Sequence, residues 1–263
     1  MCLLVLAWRA HPRYRLVVAA NRDEYHERPA AALGLWPPPA EILAGRDLRA
    51  GGTWLALDRG RRFGVVTNFR ELQTARPGAP SRGALIPHYL GGPGGPAQFF
   101  ADLSAQAAGY SGFNLLVSDA ESLWYGSNRA TPFARPLAAG VYGLSNELLD
   151  TPWPKLLRVR RGFEAWLGRA EADAAALFEL LTDRTPAAQD APAPQGHSGL
   201  PMEWERVLSA PFVLHPLYGT RCSSVVLLEP GGALYFAERR FDARGTPLGE
   251  TEFRLNAGEW PCR

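Results

Sequence analysis

The first residues of the chain contain two apolar runs of strand length joined by a short polar turn. The runs are residues 3–8 and 16–20, and Pro12 lies in the turn between them. This pattern predicts a β-hairpin. Antiparallel pairing brings the end of the second strand back beside the start of the first. We therefore expect Cys2 to lie next to the polar cluster at residues 21–24, which directly follows the second run.

Length, charge and cysteine content narrow the class of protein. A chain of 263 residues with a formal net charge of +2 is long enough to bury a sizeable core. The near-neutral balance gives little support for nucleic-acid binding, which needs a clustered basic face. The odd, sparse set of Cys2, Cys222 and Cys262 argues against a disulfide framework and favours a cytoplasmic, reducing compartment. The sequence shows neither a signal-peptide pattern nor an apolar stretch of membrane-spanning length.

A second hairpin pattern follows further along the chain. Residues 53–57 and 62–67 are strand-like runs on either side of a turn, and the second run ends at Asn68. Turn residues between two such runs predict a hairpin. The Ala- and Pro-rich stretch 29–39 predicts an irregular surface crossing, and the glycines and charges of 44–52 predict a loop.

The rest of the chain is a block of helix patterns between strand patterns. Helices are predicted over residues 85–90, 97–107, 171–181 and 202–208, and strands over 113–117, 123–126, 141–144, 222–228, 233–238 and 252–255. A further helix opens at Pro152 or Pro154 and is expected to place Leu156, Leu157, Phe163 and Trp166 along one side. This order lacks the strict alternation of a parallel doubly wound sheet. It predicts one α+β domain over 1–263 with antiparallel sheets and a flexible Ala/Pro-rich loop at 185–200.

Cys2 is the first candidate for chemistry. Removal of an initiator methionine before a small residue would leave a thiol and a free α-amine on one residue. The reference pKa of such an amine is about 8, so it can accept the thiol proton without another base. For a cysteine taken alone, a small buried residue at a strand start is the commoner explanation.

Other polar residues at predicted strand ends complete a candidate site. Asp23 would hold the amine, and Arg22 would lower the pKa of that carboxyl or bind an anion. Asn68 and Asn146 offer amides that stabilise an oxyanion, although each alone is more often a turn residue. Arg221 faces either the site or a solvated edge. The histidines and cysteines show no metal-ligand spacing.

Taken together, these segments resemble the NRDE family, also called the transport-and-Golgi-organisation family. The matching motifs are Met1-Cys2, Asn21-Arg22-Asp23-Glu24, Arg28-Pro29, Gly51-Gly52-Thr53-Trp54-Leu55, Thr67-Asn68-Phe69-Arg70-Glu71, Gly143-Leu144-Ser145-Asn146, Pro152-Trp153-Pro154-Lys155 and Tyr218-Gly219-Thr220-Arg221-Cys222-Ser223. They run in order over most of the chain, and jointly they are specific although none is decisive alone.

That family is similar in turn to the cysteine branch of the N-terminal nucleophile hydrolases, which includes the choloylglycine and penicillin V acylases. The resemblance implies a four-layer αββα sandwich of two antiparallel sheets. It also implies roles: Cys2 as nucleophile, Asp23 as the acid that positions the amine, Asn68 and Asn146 as site asparagines, and Arg221 as the late arginine that steadies the transition state. The chain departs from the acylases at Ala20, where they have an arginine, and Arg22 lies between Asn21 and Asp23 instead.

The resemblance implies a hydrolase of a non-peptide carbon–nitrogen (amide) bond or a thioester in a small amphipathic or anionic substrate. Asn21, Arg22 and Glu24 would bind the substrate, and no cofactor or metal would be required. The alternative is a non-enzymatic protein that binds and traffics haem or acyl-CoA and lipids. In that case the aromatic residues Trp36, Trp54, Phe69 and Trp153 would line an apolar pocket, and Cys2 or a histidine would ligate haem iron. For the aromatic residues, ordinary core packing is the plainer explanation.

Overall fold

The computed structural model describes residues 2–71, 78–169, 173–188 and 200–261, and for Cys2 it describes the backbone. The chain divides into two compact units. Unit 1 comprises Met1–Glu27 and Ala139–Arg254, and unit 2 comprises Arg28–Ala138 and Leu255–Arg263. The described residues form two β-sheets and five α-helices, which confirms the α+β class with antiparallel sheets. The single domain over 1–263 stays a prediction.

The elements follow one another along the chain in this order. The strands are β1 (Cys2–Trp8), β2 (Leu16–Tyr25), β3 (Ala30–Leu35), β4 (Leu43–Asp47), β5 (Leu55–Leu57), β6 (Phe63–Asn68), β7 (Phe113–Ser118), β8 (Leu123–Ser127), β9 (Ala134–Leu137), β10 (Gly140–Leu144), β11 (Tyr218–Leu228), β12 (Leu234–Phe241) and β13 (Pro247–Leu255). The α-helices are α1 (Leu85–Gly91), α2 (Pro96–Ser104), α3 (Pro154–Leu167), α4 (Ala174–Leu181) and α5 (Met202–Leu208).

The N-terminal hairpin lies inside the sheet of unit 1, whose strand order is β10-β1-β2-β11-β12-β13. β1 and β2 pair antiparallel, with Leu6 opposite Val18 and Cys2 opposite Arg22. Residues 16–23 of β2 are all buried, and the first five of them are apolar. The predicted hairpin is confirmed.

The core of unit 1 lies between this sheet and the helices α3 and α4. Val17 and Ala19 of β2 face the helices and pack with Phe163, Trp166 and Phe178. Each fully buried large apolar side chain contributes roughly 1.5–3 kcal/mol to folding. Pro154 occupies the first turn of α3, where its missing N–H removes no helical hydrogen bond.

The placement of Leu157 on the core side of α3 is wrong. Leu156 takes the core position at 1% exposure, whereas Leu157 is 48% exposed. Neighbouring residues on a helix point about 100° apart, so two consecutive leucines cannot both face one narrow stripe.

Unit 2 is a meander in which each strand pairs with the next, in the order β3-β4-β5-β6-β7-β8-β9. Leu85 and Ile86 of α1 and Phe100 of α2 pack with Leu115 in its core. A side chain at Gly126 would overlap the Phe100 ring, so glycine permits this close helix–sheet approach. Each unit is thus one antiparallel sheet with helices packed on it.

Two stretches predicted as irregular form strands instead. Residues 29–39 contain β3 and residues 44–52 begin within β4, so the expectations of a surface crossing and a loop are wrong there. The β3–β4 register is irregular between Ala31 and Gly34. Tertiary pairing at the sheet edge here overrides a composition poor in β-branched residues. The sequence patterns do not predict β9, an edge strand that contains Pro136, a residue that sheets tolerate at their edges.

Some predictions fall outside the described residues. Residues 189–199 of the predicted 185–200 loop, residues 171 and 172 at the start of the predicted fourth helix, and Cys262 all lie there. Cys222 is buried at 3% exposure, as expected for a small residue in a strand.

Candidate functional site

Neighbouring strands of the unit 1 sheet bring several predicted site residues to one end of the sheet. β1 begins where β2 ends, with Cys2 opposite Arg22. β11 begins at the same end, with Thr220 opposite Asp23. β10, the other neighbour of β1, also ends there, and Asn146 follows its last residue by two positions. The backbone of Cys2 therefore lies between the strand ends that carry Asp23 and Asn146.

Asp23 has a fully buried carboxyl group. The residue is 1% exposed, and its Oδ1 accepts a hydrogen bond of 2.7 Å from the Thr220 hydroxyl. The Tyr218 hydroxyl donates to the Asp23 backbone carbonyl at 2.9 Å. Burial raises the pKa of the carboxyl, and the positive charge of Lys155 is the largest effect that opposes this rise. A carboxyl group whose pKa is raised by burial and lowered by a specific nearby charge is typical of functional sites.

Lys155 is a site residue to which the sequence reasoning assigned no role. It is 2% exposed and lies in the first turn of α3. That helix packs on the face of β2 that carries Ala19. Asp23 belongs to the same face, because residues two apart on a strand share a face. Lys155 and Asp23 thus place opposite charges together beneath the helix. Composition is the sequence signal that singles out this residue, because Lys155 is the one lysine among the 28 Lys and Arg residues.

Asn21 holds the scaffold around Asp23. Its amide nitrogen donates to the carbonyl of Leu181 at 2.8 Å and to that of Pro211 at 2.9 Å. Its amide oxygen accepts from the Ser223 hydroxyl at 2.6 Å. These bonds join β2 to the end of α4 and to the segment before β11. A substrate contact by Asn21 stays a prediction.

Arg221 lies at an irregularity of β11. The register with β2 shifts between Thr220 and Cys222, so Arg221 is the extra residue of a β-bulge, a feature that redirects side chains near functional sites. One Nη1 donates to the backbone carbonyls of Tyr25 and His26, each at 3.0 Å. The bulge fixes this guanidinium group at the end of β2.

Arg22 brings a second guanidinium group to the same place. It is 6% exposed, and its Nη2 lies 3.7 Å from the Glu24 carboxylate. Burial and, next, repulsion from Arg22 lower the pKa of Arg221, and Cys222 and then Glu24 offset these effects in part. Arg22, Glu24 and Arg221 therefore act on one another electrostatically at the end of β2.

Asn146 is fully buried in a left-handed backbone conformation, with a φ of 59°. Asparagine tolerates this region better than most residues, and such conformations cluster at functional sites. The adjoining turn is held by Asp150, whose Oδ1 accepts from the Gly143 N–H at 2.8 Å. Arg160 pairs with the same carboxylate at 3.0 Å. The turn therefore keeps the Asn146 amide in a fixed place at the sheet end.

Asn68 lies in unit 2, apart in the chain from the other predicted site residues. It is the last residue of β6 and pairs with Phe113. The segment after it is anchored by Glu71, which accepts from the Gly112 N–H at 2.9 Å and pairs with Arg129 at 2.8 Å. Asn68 thus ends a well-anchored strand of the second sheet.

The described residues also bear on the alternative of haem or lipid binding. Within residues 2–71, 78–169, 173–188 and 200–261, no group of three or more His, Cys, Asp or Glu side chains is arranged to hold a metal ion. No α-helix of these ranges combines the length and apolar character needed to cross a bilayer. Trp36 is buried in the core of unit 2 and donates to the Ala44 carbonyl at 3.2 Å, and Trp153 packs against the core of unit 1.

Several known proteins align with this chain over most of its length. The family model described as Transport and Golgi organisation 2 matches residues 1–243. A Bos taurus protein named Transport and Golgi organization protein 2 homolog is 33% identical, and its Homo sapiens counterpart is 32% identical; each alignment covers 98% of this chain and 100% of the relative. Among solved structures, a Caenorhabditis elegans orthologue of N-acylethanolamine-hydrolyzing acid amidase aligns with a TM-score of 0.44 and 14% identity over 88% of this chain and 93% of that one.

Proposed function

The chain belongs to the Transport and Golgi organisation 2 family, and from this premise we propose that it is an N-terminal cysteine hydrolase. Its reaction is the cleavage of a non-peptide carbon–nitrogen (amide) bond or a thioester in a small amphipathic substrate. The observation that carries the proposal is the register of one sheet. It sets Cys2 opposite Arg22, one residue before the buried Asp23, while Asn146 lies two residues beyond the end of the strand on the other side.

The first step makes an acyl-enzyme. After removal of Met1, the Cys2 amine accepts the thiol proton, and the sulfur attacks the substrate carbonyl carbon, whose oxygen becomes an oxyanion. The resulting ammonium group then gives its proton to the leaving nitrogen or sulfur as that bond breaks. Asp23 orients the amine, and the positive charge of Lys155 opposes the rise in the Asp23 pKa that burial causes.

The second step is hydrolysis of the thioester on Cys2. The amine accepts a proton from water, the hydroxide oxygen attacks the acyl carbon, and the carbon–sulfur bond breaks to release the acid. The amide N–H group of Asn146 is the candidate oxyanion donor, with Arg221 adding positive charge. One such donor is worth roughly 10²–10³ in rate.

The proposal is tested with purified full-length protein and a panel of acyl amides and acyl thioesters. We expect turnover that is lost in Cys2→Ala and retained in Cys222→Ser, the matched variant of a second thiol. Equal turnover in wild type and Cys2→Ala across the panel would refute the hydrolase. Retention of haem or acyl-CoA at micromolar protein, without any turnover, would favour the binding and trafficking alternative instead.

A further inference from the structure

The Asp23 side chain is held by a threonine of the neighbouring strand. The Thr220 hydroxyl donates to the Asp23 Oδ1 at 2.7 Å, and each of the two residues is 1% exposed. The register shift of β11 places Thr220, and not the bulged Arg221, opposite Asp23. Directly opposite residues of an antiparallel pair share one face of the sheet. The bulge therefore determines that the carboxyl group meets a short, uncharged hydrogen-bond donor.

A second hydrogen bond fixes the direction in which the Thr220 hydroxyl donates. The Val213 N–H donates to the Thr220 Oγ1 at 2.9 Å, and the Thr220 N–H donates to the Val213 carbonyl at 2.9 Å. A hydroxyl group has one hydrogen to donate. Because the Val213 N–H cannot accept that hydrogen, it points to the Asp23 carboxyl group. Branching at Cβ also restricts the rotation of the threonine side chain.

One fixed oxygen sets the orientation of the whole carboxylate. The group is planar, so a bond at the Asp23 Oδ1 also determines the direction of Oδ2. The sheet places Cys2 opposite Arg22, one residue before Asp23. In a chain that begins at Cys2, the α-amine therefore lies at the strand end that carries Asp23. A hydrogen bond between this amine and the carboxylate depends on the orientation that Thr220 sets.

We propose that Thr220 is a positioning residue, whose hydroxyl orients the Asp23 carboxylate so that the carboxylate holds the Cys2 amine ready to take the thiol proton. This inference rests on the proposed role of Cys2 as nucleophile. A carboxylate beside the ammonium form makes the amine a better acceptor for that proton. Misplacement of a catalytic group by about 1 Å can cost about 10²-fold in rate, so the loss of this hydroxyl should slow the reaction.

Several charged groups act on Asp23 together with Thr220. Burial raises the pKa of the Asp23 carboxyl most, and Lys155 of α3, Arg22 of β2 and the amino group at the start of the chain lower it. Thr220 is uncharged and lowers the same pKa through its hydrogen bond. Replacement of Thr220 by valine therefore removes the bond and leaves these charges in place.

The test measures the reactivity of the Cys2 thiol and so needs no substrate. Full-length protein is treated with iodoacetamide, the thiolate sulfur bonds to carbon as iodide leaves, and peptide mass spectrometry reports each cysteine. Cys222 is 3% exposed, so its labelling reports unfolding. A hydrogen bond to an ionised group is worth about tenfold or more in an equilibrium constant. Because part of this effect reaches the amine, we expect Cys2 alkylation at neutral pH to be at least about threefold slower in Thr220→Val.

Matched variants separate positioning from a loss of stability. Thr220→Ser keeps the hydroxyl and should react within about twofold of wild type. Thr53→Val removes a buried hydroxyl of unit 2 that donates to the Leu55 carbonyl at 3.2 Å, and it should leave Cys2 alkylation unchanged. If Cys222 is labelled in Thr220→Val, all variants are compared in sucrose, which favours the folded state. Equal Cys2 rates in wild type and Thr220→Val, or equal slowing in Thr220→Ser or Thr53→Val, would overturn the assignment.

The pH profile of Cys2 alkylation is a second readout, which a loss of stability alone would not move. Removal of the Thr220 hydroxyl raises the pKa of Asp23, because the bond lowers it. The acid limb of the profile should therefore shift to higher pH in Thr220→Val and stay in place in Thr220→Ser and Thr53→Val. An unshifted acid limb in Thr220→Val would contradict the action of this hydroxyl on the carboxylate.

Three outcomes separate this inference from the hydrolase itself. The expected alkylation pattern, in a protein without Cys2-dependent turnover of acyl amides or thioesters, would support the positioning role and refute the hydrolase alone. Cys2-dependent turnover with equal kcat in wild type and Thr220→Val would support the hydrolase and refute the positioning role. A chain that retains Met1 would overturn both, because it has no Cys2 amine.

Discussion

Replacing Thr220 by valine removes one hydroxyl that serves two buried partners while keeping the shape of the side chain. The hydroxyl donates to the Asp23 carboxylate at 2.7 Å and accepts from the Val213 N–H at 2.9 Å. Thr220 and Asp23 are each 1% exposed, and Val213 is 0% exposed. Water therefore cannot replace either bond without a rearrangement.

The expected loss follows from these two bonds. A hydrogen bond to an ionised group contributes about 1.5–3 kcal/mol, and a buried unpaired N–H costs about 1–3 kcal/mol. Since both changes occur at one residue and can relax together, we expect Thr220→Val to lose about 3 kcal/mol of unfolding free energy. Thr220→Ser keeps the hydroxyl and loses a buried methyl group, which costs about 1 kcal/mol.

The loss should also depend on pH. Burial raises the folded-state pKa of Asp23, and the Thr220 bond lowers it, so the pKa rises further in Thr220→Val. Stability from a group with a raised pKa is present below the unfolded value of about 3.9 and is lost as pH rises through the folded pKa. The gap between wild type and Thr220→Val should therefore widen from acid to neutral pH.

Urea unfolding of wild type, Thr220→Val and Thr220→Ser at several pH values measures both effects. Thr220→Val within about 0.5 kcal/mol of Thr220→Ser at neutral pH would refute the hydrogen-bond assignment. A gap that narrows as pH rises would refute the assigned direction of the pKa change.

Three further changes test other parts of the account. In a double-mutant cycle, Lys155→Met and Asp23→Asn should each destabilise by about 3–5 kcal/mol, because each removes an opposite charge that acts on the other buried group. In urea unfolding, the stability losses of the two single variants should sum to at least about 2 kcal/mol more than the loss of the double variant. Additive losses would show that the two charges do not interact. The free energy of unfolding of Asn146→Gly should exceed that of Asn146→Ala by about 1 kcal/mol, because glycine adopts a φ of 59° without strain and alanine does not. Equal stabilities of the two variants would contradict the left-handed conformation. Arg62→Met should lower stability by about 2 kcal/mol, because Arg62 donates to the Gly92 carbonyl at 2.7 Å beyond the end of α1; a Tm equal to that of wild type would contradict this capping role.

The sequence predicts the centre of the unit 1 sheet because its signals there are local. Two apolar runs and a turn define the first hairpin, and antiparallel pairing alone places Cys2 opposite the end of β2. Strand-end residues such as Asn68 and Asn146 are recognised in the same way, since the apolar runs that they follow are short and well bounded. The positions of β3 and β4 were not predictable from composition, because their pairing partners determine them.

The less predictable features of the site come from contacts between distant segments. The position of Lys155 beside Asp23 depends on which face of the sheet α3 covers, and no local pattern states that. The three amide bonds of Asn21 likewise depend on the end of α4 and on the segment before β11. Asn21, which the sequence predicts to bind substrate, therefore uses its amide group to hold neighbouring segments in place.

The central claim is that the amine and thiol of Cys2 together perform acyl transfer. Its most direct test is mass spectrometry of the intact protein and its N-terminal peptide after brief incubation with an activated acyl p-nitroanilide. We predict a chain that begins at Cys2 and carries one acyl group on that residue, with the adduct absent in Cys2→Ala and present in Cys222→Ser. A chain that retains Met1, or an adduct that survives in Cys2→Ala, would contradict the claim.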